Sequence, residues 1–310
     1  MALRRLTSLK RHLQRDDVFR EGYVNAVQSY IEKGYCRRIP TDEVSTNTMC
    51  YLPHHAVINP RKPGKVRVVF DCAAKWQDVS LIDVLLHGPD LANSLVGMLT
   101  RFRMLPVAVV ADVQEMFHRV RVKQSACDVL RFVWWPNGDL TKDPFDYRMV
   151  VHLFGSTCSP SIANLCLKRV AKDHGREFDP EAGSIVLNNF YVDVSLVSFR
   201  DDEKAMKMVS QISSMLVKCG FKLKKWLSNC QIVLGTIPEA ERSQSVELEL
   251  NSSSDLCERV VGVHWNVNRD AFGFKTSAKQ NGNVTKSTVL PTICSLYDTL
   301  VFFCPSHDNR

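Results

Sequence analysis

Asn188-Asn189-Phe190-Tyr191-Val192-Asp193-Val194-Ser195-Leu196-Val197-Ser198 folds two short apolar runs around one acidic residue. The pattern predicts a β-hairpin with Asp193 in its turn. Upstream, Val107-Ala108-Val109-Val110-Ala111-Asp112 is an unbroken apolar run that ends in a carboxylate, as a buried central strand would. Asp112 and Asp193 therefore stand where apolar strands end. A buried carboxylate is costly unless it is ion-paired, hydrogen-bonded or bound to a cation. The sequence places little Lys or Arg beside either, which makes a divalent metal an economical partner. Hard Mg²⁺ takes carboxylate oxygens together with waters and substrate phosphates, and a pair of such ions suits phosphoryl transfer. Strand-end aspartates also cap turns, and spacing alone leaves both readings open.

Working outward, helical spacing of Phe19, Tyr23, Val27, Tyr30 and Ile31 predicts a helix over about Asp17 to Lys33, with Gly34 as its stop. Residues Pro40 to Pro53 read as a loop. Val66 to Phe70 reads as a strand entered from a cationic loop containing Arg61, Lys62 and Lys65, with Arg67 inside it. Leu91, Leu95, Met98, Leu99 and Phe102 predict a helix. Val129 to Trp135 and Tyr147 to Leu153 flank the turn residues Pro136-Asn137-Gly138 and predict a hairpin. Ser159 to Ala171 reads as a helix with Pro160 in its first turn, and Asp202 to Cys219 as another that ends at Gly220. The order is strand, helix, paired strands, helix, hairpin, helix. That is an α+β pattern on an antiparallel sheet and not a doubly wound one.

Of the 310 residues, 45% are hydrophobic and 24% charged, with a formal charge of +7. The composition is that of a globular chain able to bury a substantial core. No run approaches the roughly 18 apolar residues of a membrane span. The basic balance suits a polyanionic partner without requiring one. The 11 cysteines form no Cys-x-x-Cys pair and mostly lie in apolar runs, as do Cys158, Cys166 and Cys219, so reduced, buried thiols are expected. The His54-His55 pair has no companion at metal-ligand spacing and reads as a loop entering a strand. Leu3, Leu6, Leu9 and Leu13 recur at helical spacing among Arg4, Arg5, Lys10 and Arg11. This faintly imitates a transit peptide; a basic amphipathic helix on a nucleic-acid-binding protein accounts for it better.

Several phrases share one resemblance. Phe190-Tyr191-Val192-Asp193 resembles the Tyr-x-Asp-Asp hairpin of reverse transcriptases, and Ala111-Asp112-Val113-Gln114-Glu115-Met116-Phe117 resembles their first catalytic strand. Leu153-Phe154-Gly155-Ser156-Thr157-Cys158-Ser159-Pro160 is similar to the segment that supports template and nucleotide. Gly220-Phe221-Lys222-Leu223-Lys224-Lys225-Trp226-Leu227-Ser228-Asn229 is similar to the next motif of the palm. More narrowly, Tyr51-Leu52-Pro53-His54-His55, Lys65-Val66-Arg67-Val68-Val69-Phe70-Asp71 and Leu86-His87-Gly88-Pro89 resemble the BEL/Pao lineage of retrotransposons. So do Val261-Gly262-Val263-His264-Trp265-Asn266 and Ser295-Leu296-Tyr297-Asp298. The phrases are collinear and span nearly the whole chain.

The resemblance implies a right-hand polymerase fold with fingers, an antiparallel-sheet palm and a partial thumb. Residues 1–49 would be a basic helical region, 50–105 fingers, 106–235 palm, and 236–310 a partial thumb or connection. It implies an RNA-directed DNA polymerase by descent, with primer–template RNA or DNA and deoxynucleoside triphosphates as partners. Asp112 and Asp193 would be the catalytic Mg²⁺ ligands. Arg67 and Lys65 would contact the incoming triphosphate, and Gly155 would lie at the nucleotide. Phe117 would select deoxyribose, with plain core packing as the alternative. Lys222, Lys224 and Lys225 read most simply as a solvated face, and could also bind template or primer phosphates.

The match breaks at position 194, where Val stands in place of the second Asp of the hairpin. Losing one ligand of a two-metal site costs several kcal/mol of transition-state stabilisation, roughly a thousandfold in rate. Glu115 is a remote substitute. Asp298-Thr299-Leu300-Val301 departs from the Asp-Pro-Leu-Gly of relatives, and Pro291 interrupts a helix-compatible segment. The expectation is a fragment of a longer, decaying polyprotein with polymerase activity lost or severely impaired. The rival is a non-enzymatic nucleic-acid-binding protein that keeps the fold. Without a sorting signal the cytoplasm is the expected compartment, with nuclear access; oligomeric state is not set by the sequence.

Overall fold

A computed structural model describes residues 1–43, 48–58, 66–243, 257–260 and 263–273. In chain order its helices are α1 (Ala2–Arg15), α2 (Asp17–Glu32), α3 (Leu81–Val84), α4 (Leu95–Phe102), α5 (Ser159–His174), α6 (Pro180–Asn188), α7 (Asp202–Val217) and α8 (Gln231–Gly235). Its strands are β1 (Cys36–Arg38), β2 (His54–Ile58), β3 (Val66–Phe70), β4 (Val107–Val113), β5 (Arg131–Trp134), β6 (Phe145–Met149), β7 (Phe190–Tyr191), β8 (Val194–Phe199), β9 (Leu223–Ser228), β10 (Cys257–Val260), β11 (Val263–Asn266) and β12 (Ala271–Gly273). The chain divides into two compact units, each discontinuous in sequence: residues 1–90 with 115–166, and 91–114 with 167–310.

In the first unit, β1, β6 and β5 form one antiparallel sheet and β2 pairs with β3 in a second. The basic amphipathic N-terminus becomes α1, which buries Leu6, Leu9 and Leu13 in the unit's core and leaves Arg4, Arg11 and Arg15 exposed. Asp16 joins it to α2. Its backbone N–H donates to the His12 carbonyl at the end of α1, and its carboxylate caps α2 by accepting from the Phe19 N–H at 2.9 Å. Gly34 takes φ +67 just after α2, a left-handed position that glycine occupies without steric cost. His54 begins β2 and does not merely precede it. A carbonyl only accepts, so the His54 Nε2–H donates to the Val133 carbonyl at 3.0 Å, and Nδ1 is left to accept from the Tyr23 hydroxyl at 2.6 Å.

The second unit holds the four-stranded antiparallel sheet β7-β8-β4-β9, with β4 central. Its apolar run is buried from Ala108 to Ala111, as the sequence predicts. Helices α4 and α7 pack on this sheet, α7 burying Met208, Val209, Ile212 and Leu216. Strands β10, β11 and β12 form a separate antiparallel sheet in which Trp265 is buried against Phe102 of α4.

Every strand-to-strand ladder among the described residues is antiparallel, as expected. Three local expectations are corrected. Leu91 lies outside α4, which begins only after the Ser94 side chain caps the Gly97 N–H. Val186 belongs to α6 and not to the approach to the hairpin; Asp179 as cap and Pro180 in the first turn nucleate that helix. Of the three cysteines expected to be buried, Cys219 is exposed, because it follows the end of α7 just before Gly220, and Cys158 and Cys166 are half-buried, while Cys36, Cys72 and Cys127 are buried. No described helix is long and apolar enough to cross a membrane. Lys65, Pro291, the Val261-Gly262 pair and the 295–301 phrases lie outside the described residues.

Candidate active site

The hairpin predicted around Asp193 is present. Tyr191 pairs with Val194 and Phe190 with Ser195, leaving Val192 and Asp193 as a two-residue turn. Val192 adopts φ +54. A tight hairpin of this kind requires a left-handed residue, which is costly for a β-branched side chain. The turn is held from two sides. The Asp193 carbonyl accepts from the Val113 N–H at 2.7 Å, tying the turn to the end of β4. The Asn93 carboxamide donates to the Leu187 and Phe190 carbonyls at 3.1 and 2.9 Å, fixing the base of the hairpin to the segment before α4.

Asp112 is the penultimate residue of β4 and lies between Val194 on β8 and Lys224 on β9. Asp112 and Asp193 come close enough for their charges to interact. Burial, followed by the Asp112 charge, raises the Asp193 carboxyl above the ordinary aspartate value, while its own backbone N–H and the Lys225 ammonium pull it down. The arrangement has the mark of a cation site, two carboxylates whose mutual repulsion a positive charge relieves.

That charge is already supplied. The Lys225 ammonium forms an ion pair with Asp112 Oδ2. The expectation of little cationic side chain near these aspartates is corrected here, and the physical reason is a β-bulge. Between Val110 pairing with Leu227 and Asp112 pairing with Lys224, β4 has one residue and β9 has two. The bulge puts Lys225 at φ +54 and turns its side chain toward Asp112. The sequence did carry a signal, since Lys224-Lys225 followed by buried Trp226, Leu227 and Ser228 breaks the strict alternation of a strand. Lys222 pairs with Glu241 at 2.6 Å, and Lys224 donates to the Ala240 carbonyl at 3.2 Å, so these lysines are more than a solvated face.

The residues present do not fit a two-ion site. Among the described residues no group of three or more His, Cys, Asp or Glu could hold a metal. The position opposite Asp112 is the apolar Val194. Two carboxylates with waters and phosphates satisfy one Mg²⁺, but here one of them carries an ammonium. Glu115 is no substitute: its oxygens are taken by the Lys33 ammonium at 2.6 Å and the Tyr35 hydroxyl at 2.8 Å, with Arg119 at 3.6 Å. Those two hydrogen bonds, with the charges of Lys33 and Arg119, hold it ionised below the usual glutamate range, against the upward push of its burial.

The remaining residues lie in the first unit. Arg67 is exposed on β3. Phe117 is buried in a short 3₁₀ turn, Met116–Arg119, with its ring edge-to-face against Phe154 at 4.6 Å. Gly155 takes φ +94, and a Cβ there would come within 3.4 Å of the Phe70 carbonyl. Sequence reasoning missed Lys33 and Tyr35 as the partners of Glu115; the contacts are 82 and 80 residues apart and leave no local trace.

Solved structures share this fold. The foamy viral protease-reverse transcriptase in complex with double-stranded DNA aligns over 87% of this chain and 39% of that one, at a TM-score of 0.57 and 13% identity. A second structure of the enzyme with double-stranded DNA aligns over 87% of this chain and 45% of that one (TM-score 0.55, 13% identity). Its complex with an RNA/DNA hybrid aligns over 87% of this chain and 29% of that one (TM-score 0.53, 12% identity). The fold is reverse transcriptase-like. The chain spans less than half the length of these structures, and identity this low speaks to fold alone. No protein-family model and no curated protein matches the chain.

Proposed function

We propose that this chain is a reverse transcriptase-like domain of BEL/Pao descent, an RNA-directed DNA polymerase by ancestry that binds primer–template and no longer extends it effectively. The observation that carries the proposal is Val194 directly opposite Asp112 in the β4–β8 ladder, at the hairpin position where a carboxylate completes the ancestral two-ion site. The lineage rests on the collinear phrases from Tyr51 to Asp298. In the ancestor Asp112 and Asp193 would hold Mg²⁺, Lys65 and Arg67 would meet the triphosphate, Gly155 would lie at the nucleotide, and Phe117 would abut the sugar. Residues 50–105 and 106–235 would correspond to fingers and palm, and 236–310 to part of the thumb.

Nucleic-acid binding without turnover is the second strand of the reading. The foamy viral relatives in fold are described with duplex DNA and RNA/DNA hybrid, and exposed Arg4, Arg11 and Arg15 lie on the face of α1 turned from the core. The test is binding of a fluorescent RNA/DNA primer–template in chelator, repeated across salt concentrations, then incubation with Mg²⁺ and deoxynucleotides. The expected result is salt-dependent binding without Mg²⁺ and no primer extension. Efficient extension by the natural chain would overturn the proposal, as would the absence of any salt-dependent binding.

A further inference from the structure

Lys225 has an unusual position for a lysine. It sits in a bulge of β9 at φ +54, a left-handed conformation that disfavours a non-glycine residue. From there its ammonium reaches the Asp112 carboxylate, which is only about a quarter exposed, while the lysine itself stays largely in solvent. Among the described residues it makes no other ion pair. Its charge also bears on Asp193, the second carboxylate of the pair. The local sum of formal charges is therefore −1 from Asp112, −1 from Asp193 and +1 from Lys225. A site with a third carboxylate at position 194 and no such contact would carry −3.

We infer that Lys225 is a built-in cation that occupies the Asp112 side of this carboxylate pair and so excludes divalent ions from it. A divalent ion bound to Asp112 must displace the ammonium or stand beside it, and both are opposed by charge. Two positive charges on the ion and one on the lysine, about 5 Å apart, repel even at the dielectric constant of water by an amount worth about 20-fold in affinity, which screening by the remaining salt reduces to about tenfold. The ammonium also keeps two adjoining carboxylates compatible with a polyanionic partner when no metal is present. This rests on the reading of Asp112 and Asp193 as descended metal ligands, and the experiment separates the two claims.

The test is Mn²⁺ binding to the full chain at low ionic strength, with free ion counted by electron paramagnetic resonance. It compares the natural protein with Lys225→Asn, Lys225→Gly, Val194→Asp, and Lys225→Asn combined with Asp112→Asn. Asparagine and glycine both suit the left-handed backbone, and unchanged circular dichroism and melting confirm that each variant folds. The expected result is weak binding by the natural chain, about tenfold tighter binding by both Lys225 variants, and loss of that gain with Asp112→Asn. If Val194→Asp tightens binding and the Lys225 variants do not, the lysine is no barrier and the inference falls while the metal-ligand reading stands. If the Lys225 variants gain and Val194→Asp does not, the inference stands and the significance given to Val194 is lost. If none gains, both claims fail together.

Discussion

His54 makes the first unit sensitive to acid in a way that can be calculated. Its ring is buried among Tyr23, Phe70, Phe132 and Trp134. Burial is the main cause that pushes it from 6.5 to about 4; the Val133 hydrogen bond pulls slightly upward, and His55 adds to the lowering. The unfolded chain binds a proton near pH 6.5, whereas the folded chain resists until about pH 4. Stability from neutral His54 is therefore complete above pH 6.5 and lost as pH falls from there toward 4. Between pH 7 and pH 5 the loss is about 2 kcal/mol, or about 1 M in urea midpoint for a unit of this size. His118, also buried and lowered to about 4, adds a similar loss. The assay is urea unfolding followed by tryptophan fluorescence at both pH values, since Trp134 packs against both Tyr23 and His54. His54→Gln should lower stability at pH 7 and remove about half of the pH-dependent loss. Tyr23→Phe, which orphans the imidazole acceptor, should cost about 1–3 kcal/mol at pH 7 and keep most of the dependence. An identical pH 7 to pH 5 loss in His54→Gln and the natural protein would refute the reasoning.

Two further outcomes follow from buried polar groups. Asp128 is shared by Arg131 at 3.0 Å and Arg148 at 2.8 Å, all with side chains about 5% exposed. Asp128→Ala leaves the buried Arg131 guanidinium without a carboxylate, its Tyr51 hydrogen bond remaining, while Arg148 keeps Glu43 at 2.6 Å. It should destabilise the first unit by about 3 kcal/mol, read as a lower urea midpoint, and a change below about 1 kcal/mol would contradict this. Asn93→Ala removes two hydrogen bonds at the base of the Asp193 hairpin, those to the Leu187 and Phe190 carbonyls. It should speed amide hydrogen exchange across Phe190 to Ser195 while the β4–β9 ladder stays protected, and unchanged exchange in the hairpin would contradict it.

What the sequence revealed followed from local periodicity. The β4 run, the Asp193 hairpin and α2 with its Gly34 stop each depend on residues within one turn or strand, where the side-chain period is a direct consequence of backbone geometry. Helix α6 was obscured because its apolar residues Ala182, Ile185 and Val186 run straight into the hairpin. Features of the site that depend on strand pairing were not legible. Lys225 meets Asp112 across 113 residues of chain through a bulge, and Glu115 is claimed by Lys33 and Tyr35 from a helix end far upstream. Residue identity marked the two carboxylates, but only the three-dimensional register showed the charge beside them. The apolar residue at position 194 was visible from identity alone, and the register adds that Val194 lies opposite Asp112.

Single-turnover primer extension on an RNA template with Mg²⁺ tests the central claim most directly. It compares the natural chain, Val194→Asp, and Val194→Asp combined with Asp112→Asn. The account predicts slow extension by Val194→Asp alone, still held back by the Lys225 ammonium on Asp112, with the natural chain and the double variant at background. Efficient extension by the natural chain, abolished by Asp112→Asn, would show that two carboxylates suffice and contradict the claim.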